Sequence, residues 1–179
     1  ATGADLTVLE EANEFLERIT ENKNIPLFTS CCPALVNYCE KNYPELLPNI
    51  STCRSPMEMF GSVIKEQYKA SRKKIISVAI MPCTAKKFEA VRPEFRRDDG
   101  SQVIDYVITT KELIQMIKEA GIVFSEIEPE SIDMPFGSIS GAGVIFGVTG
   151  GVTEAVIRRI ETDKSVGALR TLAFNGVRG

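Results

Sequence analysis

Histidine is missing altogether from the 179 residues, which removes the commonest general base and the commonest zinc ligand together. Any chemistry must therefore rest on thiols, carboxylates, lysine or a cofactor. No run of 18 or more apolar residues occurs, which argues against a membrane-spanning helix. No basic segment leading into an apolar stretch opens the chain, so a secretory signal is not expected and the expected location is cytoplasmic. Neither sign of charge dominates: 21 Lys and Arg stand against 24 Asp and Glu, for a net charge of −3. That balance argues against nucleic acid or an anionic membrane as the main partner. An initiator Met is absent too, since the chain opens on Ala1, and the expectation is an excised or processed piece.

What remains is a composition 44% hydrophobic, enough for the core of one ordinary domain. Helical spacing of apolar residues predicts a helix over Thr7–Thr20, with Thr7 and Glu10 as a capping box at its start. Ile25–Thr29 reads as a short strand. Pro33 suits the first turn of a helix to about Lys41, and Ser55-Pro56 opens another to about Tyr68. Lys74–Met81 and Asp105–Thr109 are strand-like, and Thr109 with Glu112 caps a helix that Gly121 stops. Ile127–Ser138 reads as loop, 141–151 as a glycine-rich stretch, 152–161 as a helix and Leu169–Phe174 as a last strand. Strands alternating with helices predict an α/β fold around a largely parallel sheet flanked by helices. In such a sheet, functional loops gather at the carboxyl ends of the strands.

The cysteines are the unusual holding. There are five, Cys31, Cys32, Cys39, Cys53 and Cys83, an odd number that fits a disulfide framework poorly and suits a reducing setting. In Thr29-Ser-Cys-Cys-Pro33, adjacent side chains of an extended chain point apart, so one metal ion is not readily held by both. Either the two have different jobs, aided by the helix amino terminus that favours a thiolate, or they are small buried hydrophobes at a tight turn. In Met81-Pro-Cys-Thr-Ala-Lys-Lys-Phe-Glu89, Cys83 follows a strand and Lys86 lies about one turn on, within reach of an anionic ligand near that thiol. A buried Cys beside solvated lysines is the rival reading. The glycine-rich stretch lacks both the phosphate-loop ending and the dinucleotide fingerprint. Glu11 and Glu14 share one helix face, ordinarily a solvent-exposed one. Cys39 and Cys53 have no interpretable spacing and read as structural thiols.

Taken together, Thr29-Ser-Cys-Cys-Pro33 and Met81-Pro-Cys-Thr-Ala-Lys-Lys-Phe-Glu89 resemble the first two signature motifs of iron-only (di-iron) hydrogenases. Gly3-Ala-Asp-Leu-Thr7, Ser55-Pro-Met-Glu-Met-Phe-Gly61 and the stretch from Ser140 to Gly151 resemble the same family in the same order. The likeness covers nearly the whole chain. It implies one lobe and part of a second lobe of the catalytic domain, so residues 1–179 would be a partial domain cut at both ends.

The resemblance also implies an anaerobic hydrogen chemistry, the reversible reduction of protons at a cubane 4Fe-4S cluster joined to a di-iron centre bearing CO and cyanide. Cys32 and Cys83 would ligate the cubane, and Cys31 would carry protons beside the di-iron centre. Lys86 would donate to an iron-bound cyanide, with Met81, Pro56 and Phe146 around the pocket. Glu11, Glu14 and Ser51, with Glu89 nearby, would form the proton path. The implied partners are a ferredoxin-like or other redox donor or acceptor and the rest of the hydrogenase chain, with no nucleic acid and no membrane.

This sequence departs from the family in lacking its third cysteine motif, which carries two further ligands. It also has Leu35 where a Trp is usual. The expectation is a hydrogenase parent and an inactive, cluster-free piece. The alternatives are an iron–sulfur carrier or electron-transfer protein of the same ancestry, or a metal-free interaction module.

Overall fold

The computed structural model describes residues 2–133, 136–137 and 140–163. They belong to an α/β protein made of two compact units, one comprising Ala1–Phe60 with Ser138–Gly179 and the other Gly61–Gly137. Among the described residues, no helix is long and apolar enough to cross a membrane.

The first unit is built on α1 (Thr2–Glu21). Its inward stripe is Gly3, Ala4, Thr7, Val8, Glu11 and Ala12, one pair per turn. Ala12 packs with Val156 and Ile160 of α7 (Gly151–Asp163), and Phe15 and Leu16 lie against them. The helix begins five residues before the predicted capping box. Gly3–Leu6 are already helical, so Thr7 sits inside the helix and is fully buried. Its hydroxyl is shared between the Gly3 carbonyl (3.0 Å) and the Arg54 carbonyl (3.3 Å). The threonine that looked like a cap is instead a cross-tie to the segment entering α3 (Pro56–Gln67).

The predicted strand at Ile25–Thr29 reduces to one parallel bridge, Phe28 to Ile50. There the Phe28 N–H meets the Asn49 carbonyl (2.8 Å) and the Ser51 N–H meets the Phe28 carbonyl (2.7 Å). Pro26 has no N–H with which to continue the ladder, and Arg18 fastens the surrounding loop instead. Its guanidinium donates to the carbonyls of Asn24, Pro48 and Ile50 at 2.9–3.1 Å. Pro33 opens α2 (Pro33–Asn42) as predicted. The glycine-rich stretch holds a short helix, α6 (Gly141–Ile145), that the sequence does not announce; Ser140 caps it with its hydroxyl and is itself held by Asp5 of α1.

In the second unit, β1 (Val78–Met81) and β2 (Tyr106–Thr109) pair in parallel with Met81 opposite Thr109. The parallel sheet predicted from the alternation is realised in these two strands, β1 four residues and β2 one residue shorter than expected. Just before the strands, the Ser77 carbonyl accepts the N–H groups of Asp105 and Tyr106, while the Asp105 carboxylate takes the Ser77 N–H (2.6 Å) and the Lys65 ammonium (2.5 Å). After β1 comes α4 (Ala85–Ala90), and after β2 comes α5 (Thr110–Glu119). The Thr109–Glu112 capping box is present in both directions, and Gly121 stops the helix with φ +69°. Gly61 has Ile104 Cδ1 2.4 Å from where a Cβ would stand, so a larger residue at that turn of α3 would require the Val103 and Ile104 side chains to shift. The predicted strand at Leu169–Phe174 lies outside the described residues.

At Gly3, a Cβ would fall 2.2 Å from the Pro56 carbonyl oxygen. Backbone cannot swing aside as a side chain can, so Gly3→Ala is expected to destabilise the chain by about 1–3 kcal/mol despite alanine's better helix propensity. Urea denaturation checks this; an unchanged or higher midpoint would show that α1 and the start of α3 are not in such close contact.

Candidate functional site

Glu11 and Glu14 do share a face of α1, but it does not face solvent. Glu11 is fully buried, and neither of its carboxyl oxygens makes a hydrogen bond of ordinary geometry. Burial pushes its pKa up to about 7; the Ser30 N–H and Ser51 hydroxyl nearby pull it down in part, and the Glu14 charge adds to the rise. Glu14, one turn on, is richly held. Its carboxylate accepts from Arg18 (2.5 Å), the Ser51 hydroxyl (2.7 Å), the Thr52 N–H (3.1 Å) and the Cys53 thiol (3.5 Å). Its burial alone would raise the pKa, but those donors outweigh it and hold Glu14 below the usual carboxylate value. Two carboxyls on one helix face are thus driven apart, one poised near neutrality and one ionised, the split that marks an acid–base pair.

Ser51 is buried between them. It donates to Glu14 and bears on Glu11, and one of its lone pairs accepts the Cys53 N–H (3.1 Å). The cysteine turn is fastened to this cluster, because the Ser30 hydroxyl donates to the Cys53 carbonyl (2.6 Å). Cys31 is therefore one residue from two contacts with the carboxylate network: the Ser30 N–H near Glu11 and the Ser30 hydroxyl on Cys53.

Cys31 is half-buried and Cys32 exposed. Cys32 stands at the cap position of α2 in extended backbone, with its side chain not used for capping. The strand expected before it is absent, so this turn is held by the bridge at Phe28 and by Ser30 rather than by a sheet. Cys83 closely follows β1, as the strand-to-helix reading had it, and is exposed, against the rival reading of a buried Cys. Lys86, against the solvated reading, is 7% exposed and ion-paired at 2.6 Å with Glu89 of the same helix, itself 2% exposed. Glu89 thus serves Lys86; Glu11, Glu14 and Ser51 belong to the other unit. Met81 ends β1, Pro56 opens α3 and Phe146 follows α6, all three half-buried. Leu35, in place of the usual Trp, is exposed on α2.

All five cysteines are unbridged thiols, and among the described residues no group of three or more His, Cys, Asp or Glu could hold a metal ion. In kind, the exposed thiols of Cys32 and Cys83 fit a soft iron–sulfur group; in number they make half of a four-thiolate set. Cys39 is buried and Cys53 is engaged with Glu14, so neither is an evident substitute. Two members of the site escaped the sequence reading. Arg18 carried a signal, lying four residues after Glu14. Cys53 carried none, since its role comes from a fold-back of about forty residues.

The profile of the family described as "Iron only hydrogenase large subunit, C-terminal domain" matches residues 1–179. Iron hydrogenase 1 of Clostridium pasteurianum is 46% identical over 181 residues, covering 99% of this chain and 31% of that protein. The periplasmic [Fe] hydrogenase large subunit of Nitratidesulfovibrio vulgaris is 48% identical over 161 residues, covering 87% of this chain and 38% of that protein. The chain thus spans about a third of the length of these relatives. Cytosolic iron-sulfur assembly component 3 of Rattus norvegicus is 36% identical over 171 residues, 88% of this chain and 36% of that protein. Among solved structures, apo [FeFe]-hydrogenase HydA1 of Chlamydomonas reinhardtii superposes with a TM-score of 0.73 at 45% identity, over 88% of this chain and 41% of that one.

The state of Glu11 has a thermodynamic signature. Unfolded, its carboxyl titrates at the ordinary 4.5, and folded at about 7, so between those values the folded chain holds the extra proton. Glu11 therefore lowers stability progressively as pH rises from about 4.5 to about 7 and by a constant amount above. At about 1.4 kcal/mol per pH unit that is a few kcal/mol. Glu11→Gln is expected to flatten this decline and to be the more stable form above pH 7. Urea unfolding across that range checks it; parallel curves for the two proteins would mean Glu11 titrates normally.

Proposed function

The chain belongs to the family of C-terminal domains of iron-only hydrogenases, and from that premise we propose that the whole protein catalyses the reversible reaction 2 H⁺ + 2 e⁻ ⇌ H₂. The observation that carries the reading is the Glu11–Ser51–Glu14 cluster fastened by Ser30 to the turn that bears Cys31. A buried acid poised near neutrality, a hydroxyl and an ionised carboxylate in sequence are what proton delivery to a buried reacting centre requires.

Arg18 holds the Glu14 carboxylate in place at the outer end. A proton arriving at Glu14 passes to Ser51 Oγ as the hydroxyl gives its own proton to Glu11. Glu11 then holds it for the Cys31 thiolate. The hydroxyl direction seen here, Ser51 toward Glu14, is set for the outward transfer, and rotation about the Cβ–Oγ bond sets the inward one. Neutral Glu11 costs little to bury and charged Glu11 costs much, so the proton is held until a base is at hand to take it.

When bound, the cubane and di-iron group supplies the electrons and the site at which the protons are reduced. Cys32 and Cys83 are the thiolates this chain offers it. Lys86 would donate a charge-assisted hydrogen bond to a cyanide, and Met81, Pro56 and Phe146 would wall the pocket. With two thiolates of four, the chain by itself is expected to retain little iron and no turnover. The proposed partners are the rest of the hydrogenase chain and a ferredoxin-like or other redox protein. A cytoplasmic location is proposed, although one relative is named as periplasmic.

A second reading draws on the iron-sulfur assembly relatives, a cluster protein without hydrogen chemistry. Cys31 and Lys86 favour the first, since cluster ligation alone uses neither. Hydrogen evolution by the matured full-length protein tests the choice. Cys31→Ala in that protein is expected to keep its iron and acid-labile sulfide while losing about a hundredfold or more in turnover. Retained turnover would remove Cys31 from the relay, and a full iron complement with no hydrogen from the parent would favour the assembly reading.

A further inference from the structure

Residue 53 touches the relay with three different atoms. Its carbonyl accepts the Ser30 hydroxyl at 2.6 Å, next to the Cys31–Cys32 turn. Its N–H donates to Ser51 Oγ at 3.1 Å, and its thiol donates to Glu14 Oε2 at 3.5 Å, the same oxygen that takes the Ser51 hydroxyl at 2.7 Å. The backbone contacts would survive any substitution, but the thiol contact belongs to cysteine.

We propose that Cys53 is a positioning residue of the relay, its S–H aiming Glu14 Oε2 at Ser51 and its N–H fixing the Ser51 lone pair. The inference rests on the reading of Glu11–Ser51–Glu14 as a proton path. A hydroxyl has one proton and two lone pairs. With the proton given to Glu14 and one lone pair given to Cys53, Ser51 has a single position left to receive a proton, and fully buried Glu11 bears on that hydroxyl with no ordinary hydrogen bond of its own. Residue 53 therefore makes Ser51 a directed fitting between the two carboxyls, not a freely spinning donor.

Chemistry explains why a thiol serves there. S–H is a weak donor, so it orients Glu14 without competing with Ser51 or Arg18 for it. Burial, with the neighbouring Glu14 and Glu11 charges, pushes the Cys53 thiol up to about 12, so it keeps its proton. The titratable and charged groups bearing on Cys53 and Glu14 are Glu11, Glu14 and Arg18 from α1 and Cys53 itself. Cys53 thus differs in kind from Cys31: it directs protons without carrying them.

The infrared S–H stretching band tests the contact on this chain at neutral pH, the Cys53 band being the one that Cys53→Ala removes. It is expected at the frequency of a hydrogen-bonded thiol, and to move toward the free-thiol position in Glu14→Gln, where a neutral amide replaces the carboxylate. Circular dichroism confirms that each variant is folded. In the matured full-length protein, loss of one weak contact is expected to lower turnover about two- to tenfold in Cys53→Ala. The acid limb of its pH profile should move upward as Glu14 loses a donor, and Cys53→Ser should restore both. An S–H band at the free-thiol position, or unmoved by Glu14→Gln, overturns the inference whatever the turnover. Equal pH profiles for the parent and Cys53→Ala overturn it as well. Absence of hydrogen from the matured parent overturns the proton-path reading and the relay role with it, while the infrared result still decides the contact.

Discussion

A carboxyl group has been taken out of water on the inward face of α1 without being given a full hydrogen bond, and much of the first unit is arranged around that fact. Isolated burial of an ionised Glu11 would cost far more than a small unit could bear, so the group titrates near neutrality instead. What keeps the arrangement from collapsing is the segment 50–54. It is pinned to α1 by Arg18 at one end and by Thr7 at the other, with Ser51, Thr52 and Cys53 between them facing Glu14. Three turns of one helix, from Thr7 to Arg18, thus determine the path of a loop forty residues away. The functional polarity of the cluster follows from its asymmetry: Glu14 has every donor and Glu11 almost none.

The same segment explains what could be read in advance. Helices with local punctuation were legible: Pro33 at the start of α2, Pro56 at the start of α3, and the Thr109–Glu112 box with Gly121 for α5. Each depends on backbone groups within a few residues. The start of α1 is not legible in this way, because Thr7 and Glu10 satisfy a local rule while Gly3 and Thr7 obey a tertiary one, the close approach to Pro56 and Arg54. The strand at Ile25–Thr29 fails for a related reason. Its apolar residues are real, but Pro26 has no N–H to offer a ladder and the Ser30 N–H bears on Glu11, so Phe28 pairs alone.

For the site, the motifs point to the family, which its profile bears out, and the geometry alters the circumstances of the residues they single out. Spacing puts Glu11 on the same helix face as Glu14, yet as a surface group by ordinary odds. Its burial depends on α1 starting early and on long-range packing, neither of which is written in the spacing. Lys86 likewise reads as a reaching, solvated cation and is instead enclosed. Cys39 and Cys53 are alike in sequence and unlike in structure, one a buried thiol in α2 and the other bonded to a carboxylate.

The enclosed Lys86–Glu89 pair is compensated locally. A buried ammonium left alone would be a severe defect in any chain waiting for an anionic group to arrive. Here the counter-charge to Lys86 is supplied from the next turn of the same short helix, so this cation is compensated within α4 itself. If a bound anionic group is to draw on Lys86, as proposed, it shares a cation that Glu89 already holds in position, and the pairing does not have to be made anew.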